Sequence, residues 1–184
     1  LYAFDHFLLA RHHMFLQVYF HHESVVYEEL LKRWVCDEGC PWSLPAVLDR
    51  YLHVDDISLF QHLRTADHPM ARRVEERRPY LRVVERHGTA RQSDLSAEVA
   101  TLRAAGFDVI YASATGRLSR YDVFGRKRRR ASPIFVVERD ATNGRRRVRD
   151  LAEVSEVFER YADERCISRL YVPPEDVDAA RAAI

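Results

Sequence analysis

The stretch that decides the fold runs from Phe4 to Trp34: FDHFLLARHHMFLQVYFHHESVVYEELLKRW. Apolar residues recur at 4, 7, 8, 14, 15, 18, 25 and 30, and steps of three and four lay one stripe along a helix. The spacing predicts a long amphipathic helix, which Gly39 and Pro41 in DEGCP terminate. Downstream, Leu44, Val47, Leu48, Tyr51 and Leu52 restart a short helix. Asp55 or Asp56 suits an N-cap for ISLFQHL, because a carboxylate there accepts a free backbone N–H. A further helix follows Pro69, Pro79 interrupts it, and Gly88 ends it, so residues 1–88 read as a helical region with short connections.

After Gly88 the character changes. Asp94 opens an amphipathic helix through Leu95, Val99 and Leu102 that Gly106 closes. FDVIYASA at 107–114, PIFVVER at 133–139 and CISRLYV at 166–172 carry the β-branched and aromatic bias of strands. Asp150 and Glu153 have capping-box spacing, ahead of a helix with Val154, Val157, Phe158 and Tyr161 on its apolar side. PPEDVDAARAAI starts a last short helix at its prolines. The fold class is therefore α+β: an N-terminal helical array, then a small α+β unit at 89–184 whose open sheet is covered on one face.

The composition agrees. Its 184 residues, 47% apolar and 31% charged with only six Gly and seven Pro, exclude collagen and low-complexity disorder. A net charge of +1 leaves any affinity for nucleic acid to a local patch. Three cysteines, at 36, 40 and 166, suit reduced thiols in the cytoplasm better than a disulfide framework. Cys36 and Cys40 could offer two thiolates to zinc, but no second ligand pair has matching spacing, so no structural zinc is expected. Arg11, His12 and His13 break the one long apolar run, so no membrane span is expected. The start on Leu1, with helical sequence already under way, leads us to expect an upstream segment.

Polar residues interrupt the first helix's stripe. On a continuous helix Arg11 and His22 differ by about 20° around the axis and Tyr19 lies about 80° from Arg11, so all three share one broad face. A buried guanidinium requires an anion. A carboxylate on a neighbouring helix would meet that need, with Tyr19 as half-buried core; so would a bound phosphate.

FLLARHHMFLQVYFHHESVVYEELL, followed by RYLHVDDISLFQHL and ARRVEERRPYLRVVE, resembles the stretch just after the metal site in HD-domain phosphohydrolases related to deoxynucleoside triphosphate triphosphohydrolases. The shared pattern is Arg11, seven residues, Tyr19, one residue, His21; it covers residues 4–86 well and the C-terminal unit more loosely. The resemblance implies that Arg11 contacts substrate phosphate and that Tyr19 packs against the sugar and helps exclude ribonucleotides. It places His21 near substrate and effector, with His22 where the family usually carries lysine. It also implies a nucleotide or phosphoester substrate, a homo-oligomer, and a divalent metal held by a His, a His-Asp pair and a distant Asp. No His-Asp dipeptide occurs in this chain: Asp5-His6 and Asp67-His68 are reversed, and Val54 separates His53 from Asp55. In the family those ligands lie upstream of the helix that opens this chain, so the catalytic metal is expected outside it, and the chain alone is expected to be inactive.

Two basic runs remain. GRKRRRAS carries Arg126, Lys127, Arg128, Arg129 and Arg130, and GRRRVRD carries Arg145, Arg146 and Arg147 besides Arg149. Either they form a solvated hairpin face or they attract phosphates. The second option makes the chain a non-catalytic module that binds nucleic acid weakly, or another protein, and is the alternative to an enzyme part.

Overall fold

The computed structural model describes residues 1–116, 134–139, 144–155 and 165–184. Helix α1 spans Tyr2–Met14 and runs into a π-helical turn at Phe15–Tyr19; α2 follows at His22–Val35. Next come α3 (Leu48–Tyr51), α4 (Asp56–Thr65), α5 (Pro69–Glu75), β1 (Leu81–Gly88), α6 (Ser96–Ala104) and β2 (Ile110–Gly116). The chain closes with β3 (Phe135–Arg139), β4 (Arg146–Asp150), α7 (Leu151–Val154), β5 (Arg165–Val172), a 3-10 turn at Pro174–Asp176, and α8 (Val177–Ala183). The α+β class holds. Strands β1, β5 and β2 form one sheet in the order β1-β5-β2, and β3 pairs antiparallel with β4.

The chain divides into two compact units. One contains 1–19, 87–93 and 114–167; the other contains 20–86, 94–113 and 168–184. In the second unit the sheet is covered on both faces and not on one, because strand period 2 sends successive β5 residues to opposite sides. Leu170 and Val172 face Leu95, Leu102 and Ala180 of the α6 and α8 side, whereas Tyr171 faces Val26 and Leu30 of α2 with Tyr80 and Ile110. All of these are buried, and each large apolar side chain so placed contributes about 1.5–3 kcal/mol. A helical layer continues outward through Trp34, Leu63 and Ala71. In the first unit Leu8 packs on Leu151, and Ser155 donates its hydroxyl to the buried Asp5 carboxylate at 2.7 Å.

Two expectations change. The helix predicted from Phe4 to Trp34 is two helices: His21 is extended at φ −60°, ψ 134° and serves as the N-cap residue of α2. Along them Leu8 and Leu30 are inside, and Phe7, Met14 and Val18 are exposed. The second change is at Leu81–Gly88, read as helix but found as strand β1. α5 stops because Arg77 turns left-handed at φ 55° and Arg78 N–H reaches back to the Arg73 carbonyl, and Pro79 then prevents resumption.

Several local signals act as predicted. Asp55 accepts from Ser58 N–H at 2.8 Å, and Ser58 closes the reciprocal half of a capping box. Gly106, at φ 88°, ends α6 where a side chain would be strained. The expected helix residues Val157, Phe158 and Tyr161 lie outside the described residues.

Candidate functional site

Arg11 sits in the last turn of α1, partly buried, with its guanidinium carbon 5.3 Å from the centre of the Phe15 ring. Phe15 in turn lies 5.1 Å from the Tyr19 ring. Residues 11, 15 and 19 are four apart, so successive turns stack the three side chains into a ladder. No acidic partner of Arg11 occurs among the described residues. Tyr19 is 58% exposed, so it is not the half-buried core residue that a purely structural role would make it. The ladder ends in the π-helical turn, a distortion common at functional sites. In the sequence Phe15 reads as one more member of the apolar stripe; its i+4 relation to both Arg11 and Tyr19 is the signal that sets it apart.

His21 and His22 belong to the other unit, at the start of α2, so the shared helical face drawn from 100° steps does not survive the extended residue at 21. Their rings lie 4.4 Å apart. Burial first, then Arg82, His21 and Arg169, pull the His22 imidazole below the ordinary histidine range, against an opposing pull from Glu23. At neutral pH His22 is therefore uncharged, unlike a lysine.

The break before α2 has a definite support. Interrupting a helix orphans backbone carbonyls. Arg169 donates from Nη1 to the Phe20 carbonyl at 2.5 Å, and the Tyr171 hydroxyl donates to the His22 carbonyl at 3.1 Å. Burial pushes the Tyr171 phenol up to about 12, so it stays protonated and can donate. Arg169 is in turn held by Glu85, Nε to Oε2 at 2.6 Å, and Arg82 also bonds that carboxylate. Alternate residues of β5 thus fix the entry of α2.

A second polar cluster lies at the far end of α2. Arg33 donates to Asp108 at 2.8 Å and to the Val109 carbonyl at 2.7 Å, and Tyr80 donates to Asp108 at 2.5 Å. Arg33 and Arg73 both lie against the Tyr80 ring, 5.7 and 5.0 Å from its centre. Burial pulls the Asp108 carboxyl up, but hydrogen bonds from Tyr80 and Arg33 and the nearby cations outweigh it and leave the group below the ordinary carboxylate range. Its donors and acceptors are mutually matched, which describes a clamp between α2, β1 and the α6–β2 connection.

The basic runs separate. Arg126, Lys127, Arg128, Arg129 and Arg130 lie outside the described residues. Arg145 precedes β4, while Arg146 and Arg147 are neighbours within it and so project to opposite faces of the ribbon. Arg147 stands opposite Glu138 and Arg146 opposite Arg139.

Among the described residues no three His, Cys, Asp or Glu side chains converge to hold a metal ion. Asp55 caps α4, and His68 caps α5 through Met70 N–H while its other nitrogen meets Asp37 at 3.0 Å. Cys36 is exposed, Cys40 partly buried and Cys166 buried, none of them in a disulfide. No described helix is long and apolar enough to cross a membrane.

Comparison with known proteins adds two findings. A family model described as "HD associated region" matches residues 1–112. A hypothetical protein from Aquifex aeolicus, known from a crystal structure, superposes with a TM-score of 0.70 at 16% identity over 98% of this chain; the match spans 44% of that protein's length. At that identity the likeness establishes the fold alone. Comparison with curated proteins gives no match.

Proposed function

We propose, because this chain belongs to the HD-associated region family, that it supplies the substrate-phosphate and sugar contacts of an HD-domain phosphohydrolase acting on deoxynucleoside triphosphates or related phosphoesters. The observation that carries the reading is the ladder on α1: a partly buried guanidinium with no acid partner among the described residues, oriented by Phe15 beside an exposed phenol. A planar guanidinium can bridge two phosphate oxygens, and an aromatic ring can lie against a deoxyribose where an added 2′-hydroxyl would crowd it. The described residues do not fit a divalent metal, so in this reading the metal and the water it activates belong to the HD domain. What this region contributes is binding and orientation. In this reading Arg11 is the cation on the ladder that meets phosphate. The family resemblance also favours a homo-oligomer in the cytoplasm.

The test uses the HD-domain protein that carries this region. Tyr19→Ala is expected to narrow the ratio of kcat/KM for deoxynucleoside over ribonucleoside triphosphates by about tenfold, the scale of one lost steric contact in a pocket. Steady-state rates on matched pairs of substrates measure it. An unchanged ratio removes Tyr19 from the sugar site.

A further inference from the structure

The β3–β4 ribbon carries a surface that the phosphohydrolase reading does not use. Its register sets Phe135 opposite Asp150, Val137 opposite Val148, and Arg139 opposite Arg146. These six residues share one face, since alternate positions of each strand point the same way. The other face is partly covered: Val136 packs with Leu8 and Leu151, while the exposed Glu138 stands opposite Arg147 and 3.9 Å from Arg149. The first face is open. Phe135, Val137 and Val148 are 57%, 59% and 61% exposed, large values for apolar residues lying side by side.

Two cations crowd one end of that face. Arg139 and Arg146 are directly opposed, an arrangement that destabilises a strand pair, and neither has an acidic partner among the described residues. Asp150, the acid on this face, lies at the other end, about 13 Å along the strands. An anion between the two guanidiniums would convert a repulsive pair into a bridged one.

We propose that this face binds single-stranded nucleic acid, with phosphate at the Arg139–Arg146 pair and bases resting on Phe135, Val137 and Val148. A flat strand surface with an aromatic ring and adjacent cations is the combination that accepts unstacked bases and tracks a phosphate backbone. The charge layout favours this occupant over others. A membrane would set anionic headgroups along the whole face, apolar end included, whereas a nucleic-acid strand can set phosphate at the arginine end and bases at the apolar end; a second copy would offer the arginine pair only one acid on the matching face. Recognition is insensitive to base sequence, because no fixed set of donors faces the base edges.

Fluorescence anisotropy of a short labelled oligothymidylate with the full chain tests the proposal. Binding is expected at about 25 mM salt and should weaken steeply by about 200 mM. The double variant Arg139→Ser, Arg146→Ser should flatten the plot of log affinity against log salt by about 1.4, two single-strand phosphate contacts' worth. The corresponding lysine pair should keep the slope. Phe135→Ala should weaken binding roughly tenfold with the slope unchanged, because stacking is not ionic. None of these substitutions removes an ion pair among the described residues, and circular dichroism checks that the fold persists. Absence of binding at low salt, or binding that ignores both sets of variants, overturns the proposal. So does an oligonucleotide-silent protein in which the same variants abolish vesicle binding or change the sedimenting species, since the face would then serve a membrane or a second copy.

Discussion

In the HD-domain protein that carries this region, Arg11→Ala is expected to lower kcat/KM toward a deoxynucleoside triphosphate by roughly 10- to 100-fold, the worth of one hydrogen bond between charged groups. The direction follows from what surrounds the guanidinium. Arg11 is partly buried, lies over the Phe15 ring and has no acid partner among the described residues, so its removal breaks no ion pair there. Stability should therefore change little while activity falls. Arg11→Lys should recover only part of the loss, because an ammonium neither forks across two oxygens nor lies flat on an aromatic ring. Wild-type kinetics in Arg11→Ala would assign Arg11 to helix structure.

The second large effect concerns stability. Glu85→Ala is expected to destabilise the fold by about 3–5 kcal/mol, because it strands a nearly buried cation. The Arg169 side chain is 7% exposed, and Glu85 is its carboxylate partner among the described residues. With Glu85 gone, Arg169 keeps the Phe20 carbonyl but no acid among the described residues, and Arg82 loses the same carboxylate. The consequence reaches the start of α2, since that arginine supports the chain where the helix breaks. Replacing both partners with apolar residues, Glu85→Leu with Arg169→Met, should recover most of the loss, because the nearly buried cation leaves together with its acid and the more exposed Arg82 turns to solvent. Urea denaturation of the three variants measures this. A Glu85→Ala cost below about 1 kcal/mol would mean that solvent reaches the pair and screens it.

How much of this was readable in the sequence depends on how local each cause is. The capping box at Asp55, the left-handed glycine at 106 and strands β2, β3 and β5 rest on short-range chemistry, and the spacing of residue types disclosed them. The third strand in that region, Arg146–Asp150, was hidden by its charge: RRVRD has one apolar residue, and its pairing with β3 makes it a strand. β1 was missed for a related reason. LRVVERHG continues the three-and-four spacing of the helix before it, and only Arg77, in a conformation rare for arginine, and the neighbouring β5 strand decide otherwise.

The break at His21 has no glycine or proline to announce it. It is supported by Arg169 and Tyr171, about 150 residues away in the sequence, and no local pattern encodes such a contact. The candidate site shows the same division. Arg11 and Tyr19 stand out through a spaced motif, and the structure links them through Phe15; His21 and His22 follow them in sequence but fall in the other unit. The open face of the β3–β4 ribbon requires a register, which single-strand patterning cannot supply.

The proposed role has this region bind and orient substrate while an HD domain holds the metal. Hydrolysis of a deoxynucleoside triphosphate with Mn²⁺ or Mg²⁺ should be measured for the chain alone and for the chain joined to the HD domain of the same protein. The account predicts no turnover from the chain alone and metal-dependent release of phosphate or triphosphate from the joined protein. Metal-dependent turnover by the 184-residue chain itself would place the ligands within it and contradict the account.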